Sequence, residues 1–404
     1  MDNKKPHDII VETRKSYAIG MATGILIMIL CVLCYILYDR HVRWGGQLDP
    51  NRKVMEIYNL LNEVSIMPLD KAEMLENMYR GFLDGVGDPY TQYFDHIALE
   101  AFRERTEGDF VGVGVHVIMD TESGNVTIIS PFRDSPAAKA GLMPGDQIVG
   151  VDGADMTGRS TEEVTSLVKG EEGTAVTLTI YRPYENERFD VEIVRALVVI
   201  PSVFHEMLPG RTGYIRIESF NMATKPQFQN AMEDLISQGM TALVLDVRNN
   251  PGGLLNIVAY IADYFVPEGI IAYVVDGADN RQYFNADAEY LGLPLAVLIN
   301  GRSASASELL AGAIRDTQVG VLVGETSFGK GVVQHLYGLS DGSAVKTTVA
   351  EYFPPSGATI HGVGIAPDVK VEMEMSLSRR VGQLELHEDL QLLAAIRVLA
   401  ELVE

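Results

Sequence analysis

Thr241-Ala242-Leu243-Val244-Leu245-Asp246-Val247 runs straight into Arg248-Asn249-Asn250-Pro251-Gly252-Gly253, and the apolar stretch Leu254–Phe265 follows. The first seven residues are nearly all apolar, as in a strand covered on both faces. Pro-Gly-Gly makes a turn, and the apolar residues beyond it recur at helical spacing. Strand, glycine turn and helix together are the unit of an α/β domain with a buried parallel sheet. The unit returns in both directions. Gly213–Ile217 reads as a strand and Gln227–Gln238 as a helix; Leu295–Asn300 is a second buried strand, followed by a helix over Ser305–Asp316. Val319–Gly324 and Val332–Leu339 are further strands before a β-rich tail. The chain closes on an amphipathic helix with Leu392, Ile396, Leu399 and Val403 on one stripe, suited to a core or a dimer contact.

Residues 108–196 have a different texture. Val111, Val113, Val115 and Val117 alternate with other residues, and so do Val126 and Ile128. Ser135-Pro136-Ala137-Ala138-Lys139-Ala140-Gly141-Leu142 is a short helix ended by glycine. Pro144-Gly145-Asp146 turns into the strand Gln147–Val151, and Asp152-Gly153 closes it. A helix over Ser160–Val168 and the strand pair Val176–Arg182 and Phe189–Val194 complete the order. This run resembles a PDZ domain of the bacterial protease type. Before it, residues 44–107 read as helical. Val54, Ile57, Tyr58 and Leu61 share a face, and Asp70-Lys71-Ala72-Glu73 has the spacing of a capping box.

Ala18–Tyr38 carries no charge over 21 residues, enough at about 1.5 Å per residue to cross a bilayer core. Tyr17, Tyr35 and Tyr38 mark its ends, as interfacial aromatics do. The run is longer than the apolar part of a cleaved signal peptide and lacks a small-x-small site after it, so it reads as an uncleaved signal anchor. Basic residues flank both sides (Lys4, Lys5, Arg14, Lys15 before; Arg40, Arg43, Arg52, Lys53 after), so charge alone does not orient it. The expected organisation is a cytoplasmic tail over 1–17, a transmembrane anchor over 18–38, a helical segment over 44–107, a PDZ domain over 108–196 and a catalytic core over 197–404. The 404 residues hold 32 basic and 55 acidic side chains, a net charge of −23, which argues against a nucleic-acid partner. The 2 cysteines, Cys31 and Cys34, both lie in the apolar run, so the remainder has no disulfide framework and no cysteine metal site.

Three loops after strands carry the candidate chemistry. Glycines Gly252 and Gly253 leave backbone N–H groups unobstructed, as an oxyanion site requires. In Gly301-Arg302-Ser303-Ala304-Ser305-Ala306-Ser307-Glu308, small residues let a substrate approach Ser305, although Ser305-x-x-Glu308 also fits an N-terminal capping box. Gly324-Glu325-Thr326-Ser327-Phe328-Gly329-Lys330-Gly331 nearly matches a phosphate-binding loop. Gly331 replaces the needed hydroxyl, however, and a strand follows where a helix is required, so nucleotide binding is rejected. A nucleophile, an amine and oxyanion donors together make a Ser/Lys acyl-transfer site. His335 and His361 are rival bases, but His335 falls on the opposite strand face from Gln334.

The order of a PDZ-like domain, L-D-V-R-N-N-P-G-G, S-A-S-A-S-E-L-L-A-G-A and G-E-T-S-F-G-K-G-V-V-Q resembles the carboxyl-terminal processing peptidases over about residues 50–404. The resemblance implies Ser305 as nucleophile, Lys330 as base, Gln334 orienting the amine, and Ala306 with Gly252 or Gly253 as oxyanion donors. It also implies a crotonase-like α/β core and no metal or organic cofactor. Substrates would be proteins or peptides with a free C-terminus, bound beside Val115 with the carboxylate on Phe110-Val111-Gly112-Val113-Gly114. The expected location is the bacterial cytoplasmic membrane, single-pass, with the catalytic part outside and a homodimer possible. Two other classes share parts of the pattern: a catalytically idle membrane-tethered PDZ adaptor, and a crotonase-type acyl-CoA enzyme.

Overall fold

A computed structural model of the chain describes residues 20–38 and 50–403. The chain divides into two units, Met1–Met78 and Tyr79–Glu404. The expected tail over 1–17 and the flanking charges Lys4, Lys5, Arg14, Lys15, Arg40 and Arg43 lie outside the described residues.

In the first unit Gly20–Tyr38 is a single helix of 19 residues with mean hydropathy 2.5. Among the described residues it is the one helix long and apolar enough to cross a membrane. The helix Pro50–Val64 follows, and the helix Lys71–Asp84 begins in this unit and ends in the next. Asp70 starts the latter, its Oδ1 accepting from the amides of Ala72 and Glu73 at 2.8 and 3.1 Å.

The larger unit is built on a six-stranded sheet. Thr212–Ile217, Ala242–Asp246, Leu295–Ile299, Val321–Gly324 and Val369–Lys370 run parallel in that order, and Val203–Leu208 joins antiparallel at one edge. The near-continuous apolar runs follow from burial on both faces. Leu243, Leu245, Leu295 and Val297 pack against the helices Thr224–Ser237, Leu255–Asp263 and Ala306–Asp316. Val244, Ala296, Leu298 and Val323 meet Leu392, Ala395 and Leu399 of the closing helix Leu390–Val403. Leu392 and Leu399 of the apolar stripe are therefore core, with Ile396 packed at its margin.

A second sheet centres on Ala344–Phe353, which pairs with Val332–Gly338 on one side and with Gln92–Phe94 and Gly269–Asp276 on the other. Gln92–Phe94 interrupts the stretch read as helical. Three residues carry no period of their own, and only pairing with Ala344–Lys346 makes them a strand.

Residues 115–194 form a separate six-stranded antiparallel sheet with the helix Thr161–Val168 and its own core of Val126, Ile128, Ile148, Leu178 and Ile180. Ser160 and Glu163 close a full capping box on that helix. The domain is carried on a two-stranded ribbon, Asp109–Gly112 paired with Ala196–Val199.

Candidate active site

The three loops singled out in the sequence leave the C-terminal ends of three adjacent parallel strands, Ala242–Asp246, Leu295–Ile299 and Val321–Gly324. Strand order therefore brings them to one edge of the sheet.

The first loop is braced from below. Arg248 is buried, its guanidinium held by Asp246 and Asp389 at 2.6 and 2.7 Å, and the Tyr214 hydroxyl donates to Asp246 at 2.7 Å. Burial alone would lower the Arg248 pKa, but the two carboxylates hold it well above the ordinary value. Asn250, also buried, gives its side-chain NH2 to Ile217 O and accepts the Gly252 amide on Oδ1 at 2.8 Å. Its carbonyl accepts from Ala304 N and Ser307 Oγ, which locks the glycine turn to the serine loop. Gly252 must lack a side chain: a Cβ there would lie 2.7 Å from Ser305 Cβ. The Gly252 amide is thus taken, whereas among the described residues the amides of Gly253 and Ala306 have no protein acceptor.

Ser305 sits at the start of the helix Ala306–Asp316 with φ 55° and ψ −116°. A positive φ at a non-glycine residue is strained, and such strain collects at working sites. The capping box expected of Ser305 and Glu308 is present. Glu308 Oε2 accepts the Ser305 amide at 2.8 Å, and the Ser305 hydroxyl is in hydrogen-bonding contact with the Tyr352 phenol.

Glu308 proves to be the hub of the site, a role its helical-cap spacing concealed. Fully buried, it accepts from Ser305 N and Lys330 N on Oε2, both at 2.8 Å, and from Ser327 Oγ and Gly329 N on Oε1, both at 2.6 Å. One carboxylate thereby ties the serine loop to the lysine loop. The lysine loop is completed by Ser327 Oγ, which also accepts from Ile365 N at 2.7 Å, and by the Tyr352 hydroxyl, which donates to Lys330 O. Tyr352 was not found by sequence reasoning. Burial first, and then the charge of Glu308, raise its phenol pKa well above the usual value, so it is a neutral donor.

The Lys330 pKa is lowered, by burial first and then by the charge of Lys346, against the opposing pull of Asp88 and Glu308. Its Nζ lies 4.8 Å from the centroid of the Tyr90 ring, and among the described residues no hydrogen bond joins it to Ser305 Oγ. Gln334 follows a bulge in its strand and donates its side-chain NH2 to Val332 O at 3.2 Å. His335 is exposed and stacks edge-on against Tyr337, while Gln334 on the other face is partly buried. After Gly331 the chain enters the strand Val332–Gly338, as the rejection of a phosphate loop required.

In the smaller domain Val115–Met119 is an edge strand, open on the side away from Val126–Pro131. Phe110 and Val111 pair with Val198 and Leu197, but the amides of Val113 and Gly114 make no backbone hydrogen bond among the described residues.

The description "Peptidase family S41" matches residues 211–371, and "PDZ domain" matches residues 128–182. The carboxy-terminal processing protease CtpB of Bacillus subtilis is 34% identical over 84% of this chain and 71% of its own. The carboxy-terminal-processing protease of Bartonella bacilliformis is 37% identical over 76% of this chain and 71% of its own. A solved structure assigned to the S41 proteases, from Bacteroides fragilis, has a TM-score of 0.51 at 17% identity, covering 80% of this chain and 90% of that one, a likeness of fold alone. With two relatives above 30% identity over most of their length, a PDZ domain and an S41 region, the chain belongs to the carboxy-terminal processing serine proteases of peptidase family S41.

Proposed function

We propose that this family member is a membrane-anchored endopeptidase that cuts proteins near their C-termini with Ser305 as nucleophile and Lys330 as base. The observation that carries the reading is the buried Glu308 carboxylate, which accepts the backbone amides of both residues. Neutral Lys330 takes the proton of Ser305 Oγ as the oxygen bonds to the peptide carbonyl carbon. The oxyanion lies against the free amides of Gly253 and Ala306. The amine then returns the proton to the leaving nitrogen, and water releases the acyl group. Gln334 orients the amine once its side chain leaves Val332 O. The core is of the crotonase-like type. The PDZ domain takes the substrate as an added strand along Val115–Met119, with its terminal carboxylate on Val113 and Gly114. The helix Gly20–Tyr38 anchors the chain in the cytoplasmic membrane of a bacterium, with the catalytic body outside.

The test compares three variants on one unfolded protein substrate. Ser305→Ala and Lys330→Arg are expected to be inactive, because a guanidinium stays protonated, and His335→Ala to retain most activity. An active arginine variant beside a dead histidine variant would make His335 the base. A full complement of binding with no hydrolysis by the parent chain would make the protein an adaptor.

A further inference from the structure

The lysine amine has a partner that the acyl-transfer scheme does not use. Asp88-Pro89-Tyr90-Thr91 precedes the short strand Gln92–Phe94, far from the catalytic loops in sequence, yet it is fastened to the catalytic sheet. Gln92, Tyr93 and Phe94 pair with Lys346, Val345 and Ala344. The Thr91 and Thr347 hydroxyls are hydrogen-bonded at 3.0 Å, and Thr91 Oγ1 also donates to Asp88 Oδ2 at 2.7 Å. The Tyr90 amide donates to Asp88 Oδ1 at 3.0 Å, and its ring meets His361 edge-on, centroids 6.3 Å apart. These holds present the face of the ring to Lys330 Nζ at 4.8 Å.

Resting on the Ser/Lys reading above, we propose that Tyr90, backed by Asp88, is a positioning residue that docks the Lys330 side chain while it is an ammonium and releases it as an amine. The physical basis is the ring quadrupole, whose negative face attracts a cation and has little hold on a neutral amine. When the ammonium loses its proton to solvent, the cation–π attraction and the pull of Asp88 both lapse, and Nζ is free to turn to Ser305 Oγ. The groups facing the amine sort by sign. Asp88, Glu308 and the Tyr90 ring favour the charged, docked form; Lys346 and burial favour the neutral one; the Tyr352 phenol is neutral, and His361 meets the Tyr90 ring edge-on. The docked form is inactive and the released form active, so the balance sets the acidic limb of the pH–rate profile.

Full-length protein carrying Tyr90→Leu keeps the apolar cover but loses the ring. The acidic limb of kcat/KM is expected to move to lower pH by about 0.5–1 unit, the cation–π strength of a partly desolvated pair expressed in pH units. Tyr90→Phe, which keeps the face, is expected to restore the parent limb. Should Tyr90→Leu fail to fold, a polyfluorinated phenylalanine incorporated at position 90 preserves the shape while reversing the quadrupole, and is expected to shift the limb the same way. An unmoved limb in a folded Leu or fluorinated variant, with Ser305→Ala and Lys330→Ala both inactive, overturns the dock and leaves the Ser/Lys reading standing. Activity surviving in Ser305→Ala or Lys330→Ala overturns that reading instead, and the dock with it.

Discussion

Glu308 is where the residue scale matters most. Its carboxylate oxygens receive four donors, two of them the backbone amides of the proposed nucleophile and base. An amide side chain has one acceptor oxygen, so Glu308→Gln leaves at least one buried donor facing an NH2 group. Leaving a buried donor unpaired costs about 1–3 kcal/mol. Urea unfolding is expected to show that loss, and steady-state kinetics a kcat at least about tenfold lower with KM little changed, the signature of a misplaced reacting pair. Lys346 tests the electrostatics. Its charge pushes the Lys330 pKa down, so Lys346→Met is expected to raise that pKa and carry the acidic limb of the rate profile to higher pH. Lys330 itself is held below 10.5 when folded, so between that lowered value and 10.5 the unfolded chain binds more protons and stability rises with pH. Lys330→Met is expected to abolish hydrolysis, flatten that rise and melt at a higher temperature near neutral pH. Sequence reasoning singled out Ser305 and Lys330 as candidates because small residues around a polar one form a local pattern. It saw Glu308 only as a helix cap, because the lysine loop it serves is distant in sequence.

At the scale of elements, a turn is specific when the space around it is closed. A Cβ at Gly253 would meet Phe220 O at 2.1 Å, and φ there is 150°. Gly253→Ala is expected to cost about 1–3 kcal/mol of stability and to remove activity together with the turn, read from urea melts and hydrolysis of one substrate. Beneath the turn, Asp389 closes the Arg248–Asp246 pair from the start of the last helix, its Oδ1 also accepting Leu392 N at 3.0 Å. Asp389→Ala takes one of its two carboxylates from a buried guanidinium and is expected to destabilise by about 3–5 kcal/mol. The strands and helices bearing the three loops were legible because each buried run is long and periodic. Gln92–Phe94 was not, and neither was the pairing of Arg248 with Asp389. A three-residue strand and a distant ion pair leave no local trace in a single sequence, and nothing near Tyr90 announces that it will lie against Lys330.

At the scale of the molecule, the apolar helix and the PDZ domain make separate claims. Protease added to spheroplasts is expected to digest the chain beyond the helix Gly20–Tyr38; protection of the catalytic body would reverse the proposed topology. Peptides ending in an apolar residue are expected to bind the full chain, and amidation of their carboxylate to weaken binding by more than about 1.4 kcal/mol, a factor of 10. Equal affinity of the two forms would remove the carboxylate from the recognition scheme. The class and order of the domains were legible, because each carries a run of turns and strands with its own texture. What joins them was not.

The ribbon beneath the PDZ domain carries a further consequence. Asp109–Gly112 leads into the domain and Ala196–Val199 returns beside it, while the Ile200 amide donates to Gly108 O at 2.8 Å. The two chain ends are therefore neighbours, and the domain hangs from the protease body as an insertion looped out of a continuous fold. Evolution or an engineer could cut it out and splice Gly108 to Ile200 through a few flexible residues without stretching the body, or exchange it for another pendant with adjacent termini. The body, in turn, is written in two instalments. The piece that carries Tyr90 leaves the ribosome before the PDZ domain, and the lysine it faces comes long after. A nascent chain holding only the first instalment has no amine to dock.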